Sequence, residues 1–206
     1  MSYIYQKRSK NDLERIAEIV LGRYANRCSG CFIDIEGIVE DCGITILSRR
    51  GGLNNFCEGY VAENPRYIVM PEAYASYQPR YRAILAEEIC HTILEYDLLS
   101  TNGTLPTDAK PHALTDQQHK DIEADAQYLS LAVLFPKTIF IAKFQKHLDE
   151  APEASKERRD KHLNYCVTKL ECDFSVWPLK AAYRARDLDL ITDAECRKFF
   201  SDRVPM

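Results

Sequence analysis

The chain has 206 residues, of which 46% are apolar and 28% charged, and its formal net charge is -4. This length suits one large domain, or a compact core with a small appended subdomain. The acidic balance argues against a dedicated nucleic-acid-binding protein, and no apolar run approaches the roughly 18 residues of a membrane-spanning helix, so no membrane contact is expected.

The N-terminal segment, residues 1–8, has basic residues but no apolar core behind them. No signal peptide is therefore predicted, and the expected location is the cytoplasm. The first predicted helix follows, with one apolar face at a spacing of three and four residues. That face consists of Leu13, Ile16, Ile19, Val20 and Tyr24. Asn11 and Asp12 are its predicted capping residues.

The chain has eight cysteines, which are expected to stay reduced in the cytoplasm. Cys28 and Cys31 have the CxxC spacing of zinc and redox sites. A zinc site would need a second pair, and Cys42 and Cys57 are single residues far apart. A redox site would need the pair between a strand and a helix, whereas here a helix entry follows directly. Ordinary buried or surface thiols are the preferred interpretation.

Asp34 is predicted to cap a second, short helix that ends at Gly43. Three β-rich segments follow, bounded by turn residues. They lie at 44–47, 59–62 and 67–70, with a turn at 49–52. Their short connections favour an antiparallel sheet.

Residues 80–98 have a strongly helical apolar pattern, and a polar loop over 99–118 separates them from a second long helix at 119–134. Loops of this length are often functional. The remainder is predicted to be helical, with helices at 138–149, 155–171, 176–187 and 193–201.

The residues that carry chemistry lie in the first long helix. Glu87 and His91 are four residues apart, so on a helix they project from one face and can hold one ion. Glu88 lies about 100° round the helix from Glu87. The arrangement matches the HExxH pattern, in which two metal ligands flank a glutamate that takes a proton from metal-bound water. Here a glutamate stands at the first ligand position.

A catalytic zinc keeps three protein ligands and one open position. The second long helix supplies the candidates for the third ligand, with Glu123 as first choice and Asp125 as second. Zinc is the expected metal, and carboxylate ligation makes manganese or iron the alternatives. Without a metal site, Glu87 and Glu88 would belong to an exposed charged helix face and His91 would be a partly buried histidine. Glu123 and Asp125 would then belong to a solvated helix start, where acids are favoured.

The chain resembles the ImmA/IrrE family of metallopeptidases in four ordered segments. They are 32–44, like the early helix and its glycine stop; 82–91, like the active-site helix; 123–136, like the second ligand helix; and 174–188, like the C-terminal helices. The resemblance implies an α+β fold with a small antiparallel sheet packed on a zincin-like pair of metal-binding helices over 1–136. A helical subdomain over 137–206 follows.

The resemblance also implies a metal-dependent endopeptidase that cuts a partner protein, typically a helix-turn-helix repressor. Carried over by position, Glu87, His91 and Glu123 are the metal ligands and Glu88 is the general base. Glu87 departs from the family's usual histidine, and Cys90 stands where the family prefers glycine. The candidate oxyanion stabilisers are Tyr60 and His112.

The alternative is a catalytically degenerate regulatory protein that binds a repressor or DNA without cleaving it. The predicted helix at 176–187 carries Lys180, Arg184 and Arg186 after a turn, which is a helix-turn-helix-like arrangement. A packing role is preferred over DNA contact, because residues such as Trp177 occupy much of the helix surface and the chain is acidic.

Overall fold

The computed structural model describes residues 5–50, 59–99, 102–106, 109 and 112–201. Cys57, part of the predicted turn at 49–52 and part of the predicted loop at 99–118 lie outside these ranges. Among the helices that the structure describes, none combines the length and the apolar character needed to cross a membrane.

The first helix, α1 (Lys10–Arg23), has Ser9 as its N-cap. Ser9 Oγ accepts a hydrogen bond from the Asp12 backbone N–H at 3.2 Å and donates one to Asp12 Oδ2 at 2.7 Å. The prediction that Asn11 and Asp12 cap this helix is therefore wrong. Asp12 lies in the first turn, where it is the partner of the cap.

The second helix, α2 (Ile35–Asp41), is capped by Asp34, which accepts a hydrogen bond from the Gly37 N–H at 3.0 Å. The helix ends before Gly43, whose φ of +74° lies in the left-handed region that favours glycine. Both ends confirm the prediction.

A short antiparallel hairpin, β1 (Cys28–Ser29) and β2 (Phe32–Ile33), contains the CxxC pair. The sequence predicted a helix entry here, because strands of two residues have no alternation to detect. Cys28 and Cys31 are not disulfide-bonded. Burial raises the pKa of both thiols, which disfavours the reactive thiolate. The pair therefore has the character of ordinary thiols.

Within the described residues, the main sheet has three strands, β3 (Thr45–Arg49), β4 (Tyr60–Val61) and β5 (Tyr67–Pro71), in the order β3-β5-β4. β4 and β5 are antiparallel, as predicted, but β3 runs parallel to β5. The expectation of a fully antiparallel sheet is wrong for this pair. Only the connection from β4 to β5 is short, and the longer connection over 50–59 leaves β3 and β4 non-adjacent.

The helices form the larger part of the molecule. After the sheet come α3 (Gln78–Glu95), α4 (Asp116–Leu134), α5 (Lys137–Asp149), α6 (Glu153–Lys156), α7 (Arg159–Phe174), α8 (Pro178–Asp187) and α9 (Asp193–Ser201). The helix predicted at 155–171 is two helices, α6 and α7. α4 packs between α1 and α3. The predicted α+β fold class is confirmed.

One hydrophobic core runs through the molecule and crosses the predicted boundary at residue 136. Phe135, at the end of α4, packs edge-on against Phe140 of α5 and Phe174 of α7, with ring centroids 5.3 and 5.1 Å apart. All three side chains are fully buried. The helical C-terminal part is therefore packed directly on the sheet-bearing part.

Candidate functional site

The candidate site lies where α3 meets α4 and β4. α3 buries Leu85, Ile89 and Cys90 in the core, and leaves Glu87, Glu88 and His91 partly exposed. Cys90 is 1% exposed, so it faces the core and not the site. The 3.6-residue period of the helix then fixes where Glu87, Glu88 and His91 emerge.

The structure brings His91 and Glu123 together across α3 and α4. His91 Nε2 lies 3.2 Å from Glu123 Oε2. Burial by itself lowers the pKa of His91, but the Glu123 hydrogen bond and the neighbouring acids outweigh it and raise that pKa. The same hydrogen bond, helped by Gln127 and Lys180, lowers the pKa of Glu123. His91 and Glu123 thus form a charge-assisted pair.

Asp125, the second choice for the third ligand, is engaged elsewhere. Its Oδ2 accepts hydrogen bonds from the Tyr5 hydroxyl and the Arg8 backbone N–H, both at 2.8 Å. Residues two positions apart on a helix point about 200° apart, so Asp125 faces away from the side that carries Glu123. The structure therefore does not bring Asp125, the alternative ligand of the prediction, together with His91 and Glu123.

Glu87 is held by a lysine from the C-terminal helices. Lys180 Nζ on α8 donates to Glu87 Oε2 at 2.6 Å, and the two side chains are 15% and 17% exposed. The sequence placed Lys180 on a possible DNA-contacting face, and missed this contact. No local pattern could have revealed it, because the two residues are 93 positions apart in the chain.

Glu88 is the most strongly shifted acid of the site. Burial, reinforced by the charges of Glu87 and Glu123, raises its pKa to about 7, although His91 and a hydrogen bond from the Val61 backbone act in the opposite direction. A carboxyl group with this pKa exchanges a proton near neutral pH, which suits a general base or acid.

A cavity of about 600 Å³ opens over these residues. We call it the α3–α4 groove. Its acidic and histidine side chains are Glu63, Glu88, Glu95, Glu123, His91, His112 and His119, and its apolar residues include Val61, Leu114 and Ile122. Of the two proposed oxyanion stabilisers, His112 lines the groove and packs against Tyr96, with ring centroids 5.2 Å apart. The Tyr60 hydroxyl accepts a hydrogen bond from Arg49 at 3.5 Å.

His119 is a groove residue that the sequence reasoning missed. The predicted helix started at His119, whereas α4 starts at Asp116 behind a capping box of Thr115 and Gln118. That motif, a threonine followed three residues later by glutamine, is visible in the sequence. It would have placed His119 inside the helix, four residues before Glu123 and on the same face.

The residues present do not complete a metal centre. The 3.2 Å between His91 Nε2 and Glu123 Oε2 is close to the separation of about 3.3 Å between two ligands of a tetrahedral zinc ion. The third predicted ligand, Glu87, is instead bonded to Lys180. Within the described ranges, no group of three His, Cys, Asp or Glu side chains is arranged to hold a metal ion.

The basic residues considered for DNA contact are mostly internal. Arg184 is 0% exposed, and its guanidinium donates to Glu14 at 2.6 Å and to the Phe135 carbonyl at 3.1 Å. Arg186 donates to Asp187 at 2.9 Å. A recognition helix needs accessible basic residues on the face that enters the DNA groove. On α8, Lys180 is bonded to Glu87 and Arg184 is buried, so this face packs against the rest of the protein.

No protein-family model matches the chain, and no curated protein matches it. Among solved structures, a Mycobacterium tuberculosis transcriptional regulator is similar, with a TM-score of 0.54 at 17% sequence identity. The match covers 85% of this chain and 46% of that chain, so the matched region is less than half of the regulator. The likeness is one of fold, and the ImmA/IrrE resemblance stays a prediction.

Proposed function

We propose that this chain is a regulatory protein that binds a segment of a partner protein in the α3–α4 groove, without cleaving it. The observation that carries the proposal is the groove itself, a cavity of about 600 Å³ lined by Glu63, Glu88, Glu95 and Glu123. The ImmA/IrrE resemblance implies a partner of the transcriptional-repressor class. The structural relative is itself described as a transcriptional regulator, which is a property of that protein.

Charge selects the class of partner segment. Glu63 and Glu123 are exposed and Glu95 is half-buried, so their carboxylates face an incoming ligand. Lys120 also lines the groove, but the four glutamates outnumber it. A mainly acidic groove attracts positive charge and disfavours acidic partners. A lysine- and arginine-rich segment, as found in DNA-binding proteins, is therefore the fitting ligand.

The walls suit an extended segment. Val61 belongs to β4, which has a neighbouring strand on one side only within the described sheet. The Val61 backbone N–H at this edge is bonded to Glu88. The apolar residues Leu114 and Ile122 therefore provide the surface for the side chains of a peptide.

Binding of labelled peptides tests this proposal. A basic 12-residue peptide is expected to bind the protein in fluorescence anisotropy, and an acidic peptide of the same length is not. Glu63→Gln/Glu95→Gln should weaken binding of the basic peptide several-fold, whereas Glu157→Gln, at an exposed position in the C-terminal part, should not. Equal binding of both peptides, or no binding of either, would contradict the proposal.

A second candidate function is the metal-dependent endopeptidase of the ImmA/IrrE type. The proximity of His91 to Glu123 and the near-neutral pKa of Glu88 favour it, and Glu88 would accept the proton of the attacking water. Co-expression with a helix-turn-helix repressor tests it. Cleavage by the wild type that is abolished by Glu88→Gln would establish the enzyme, and an intact repressor with both proteins would support binding alone.

A further inference from the structure

A lysine side chain, that of Lys180, supplies a positive charge next to the candidate metal ligand Glu87. Lys180 Nζ lies 2.6 Å from Glu87 Oε2, and both side chains are largely buried. We infer that the Lys180 ammonium takes the place of a divalent metal at Glu87, and that the native protein binds no such metal at Glu87, His91 and Glu123. This inference rests on the proposed function, because it assumes that the α3–α4 groove binds a partner segment.

The position of Lys180 is fixed by the fold. The start of α8 is bonded to the start of α3, because the Trp177 N–H donates to the Pro79 carbonyl at 3.1 Å and the Arg80 guanidinium lies 5.0 Å from the centre of the Trp177 ring. Arg82 adds a bond from Nε to the Ser175 carbonyl at 3.1 Å. Lys180, one turn into α8, is thereby directed at Glu87, which lies further along α3.

The remaining groups cannot serve as both ligands and base. With Glu87 bonded to Lys180, His91 and Glu123 are two ligands, one fewer than a catalytic zinc site uses. Among the described residues, His119 does not complete a group of three with them. Glu88 could supply a third, but it would then no longer be available as the general base. A divalent ion next to a lysine ammonium also meets direct repulsion. Lys180 therefore blocks the metal site by occupying a ligand and by its charge.

Metal titration of matched variants tests the inference. Zn²⁺, Mn²⁺ and Co²⁺ are titrated separately into wild type, Lys180→Met and Lys161→Met by isothermal calorimetry, with Lys161 as an exposed control. Wild type and Lys161→Met should show no one-to-one binding. Lys180→Met should bind one ion at least about tenfold more tightly, because Glu87 becomes available and the repulsion is removed. Lys180→Gln, which keeps a hydrogen-bond donor beside Glu87, replaces Lys180→Met if that protein does not fold.

One-to-one binding by the wild type, or no gain in folded Lys180→Met or Lys180→Gln, would overturn the inference. Basic-peptide binding measured on the same preparations separates the two proposals. If the wild type binds both the metal and the peptide, the proposed role of Lys180 is overturned and the proposed use of the groove is not. A metal-free wild type that does not bind the peptide supports the role of Lys180 and overturns the proposed use of the groove.

Discussion

Single residues set the charge balance of the groove. His91 is close enough to Glu123 for a charge-assisted hydrogen bond, and Lys180 neutralises Glu87. Glu88 is left as the acid that burial keeps partly protonated near neutral pH. Two cationic side chains thus compensate a group of acids that would otherwise repel one another.

A double-mutant cycle measures the Glu87–Lys180 contact. Lys180→Met should lower the free energy of unfolding by about 1–3 kcal/mol, because it leaves a largely buried carboxylate without its counter-charge. Combining it with Glu87→Met should recover most of that loss, since neither charge then remains. Urea unfolding provides the measurement, with a change of about 0.5 kcal/mol or less expected for Lys161→Met. Strictly additive costs would show that the two side chains do not interact.

At the level of elements, Arg184 joins three helices. From α8 it donates to the Phe135 carbonyl at the end of α4 at 3.1 Å and to both carboxylate oxygens of Glu14 on α1 at 2.6 and 2.9 Å. The Tyr128 hydroxyl donates to the same carboxylate at 2.8 Å. A fully buried guanidinium needs such partners, because an unpaired buried charge is strongly destabilising.

This network predicts a loss of stability in acid. Burial opposes the charged form of Glu14, but the bonds from Arg184 and Tyr128 outweigh it, so the pKa of Glu14 lies below its unfolded value of 4.5. Its contribution is therefore complete above pH 4.5 and is lost as the pH falls through the lower folded pKa. Glu14→Gln should cost about 3 kcal/mol at pH 7 and flatten the acid dependence.

Urea unfolding between pH 7 and pH 3 checks this prediction. Glu18→Gln, one turn further along α1 and exposed, is the matched control and should behave as the wild type does. If Glu14→Gln leaves the loss of stability in acid unchanged, that loss comes from other carboxylates.

At the scale of the whole molecule, the shared core predicts one folding unit. Phe135, Phe140 and Phe174 pack together across the predicted boundary at residue 136. The full chain should therefore unfold in a single transition, and a fragment of residues 1–136 should fail to fold, since it loses both this cluster and Arg184. Circular dichroism on thermal unfolding distinguishes the cases. Two separate transitions would show that the boundary separates independent domains.

The sequence predicted elements well where the pattern is local and long. The apolar periodicity of α3 and α4 located both helices, and the four-residue spacing placed Glu87 and His91 on one helix face. Asp34 and Gly43 marked both ends of α2, because their capping chemistry depends only on neighbouring residues.

Long-range contacts were beyond the sequence. The parallel pairing of β3 with β5 depends on which strand lies in the middle of the sheet, which no local pattern specifies. The bond of Glu87 to Lys180, and that of Asp125 to Tyr5, join positions 93 and 120 residues apart. The predicted proximity of His91 to Glu123 is present in the structure, and their role as metal ligands stays a prediction. The partners of Glu87 and Asp125 depend on the tertiary fold.

The most direct test is a crystal structure grown in excess Zn²⁺, with anomalous data collected above and below the zinc edge. We predict no zinc peak between His91 and Glu123, with Lys180 Nζ still bonded to Glu87 Oε2 as in the present structure at 2.6 Å. A strong zinc peak bonded by His91, Glu123 and Glu87, with Lys180 displaced, would contradict the account and favour the metallopeptidase.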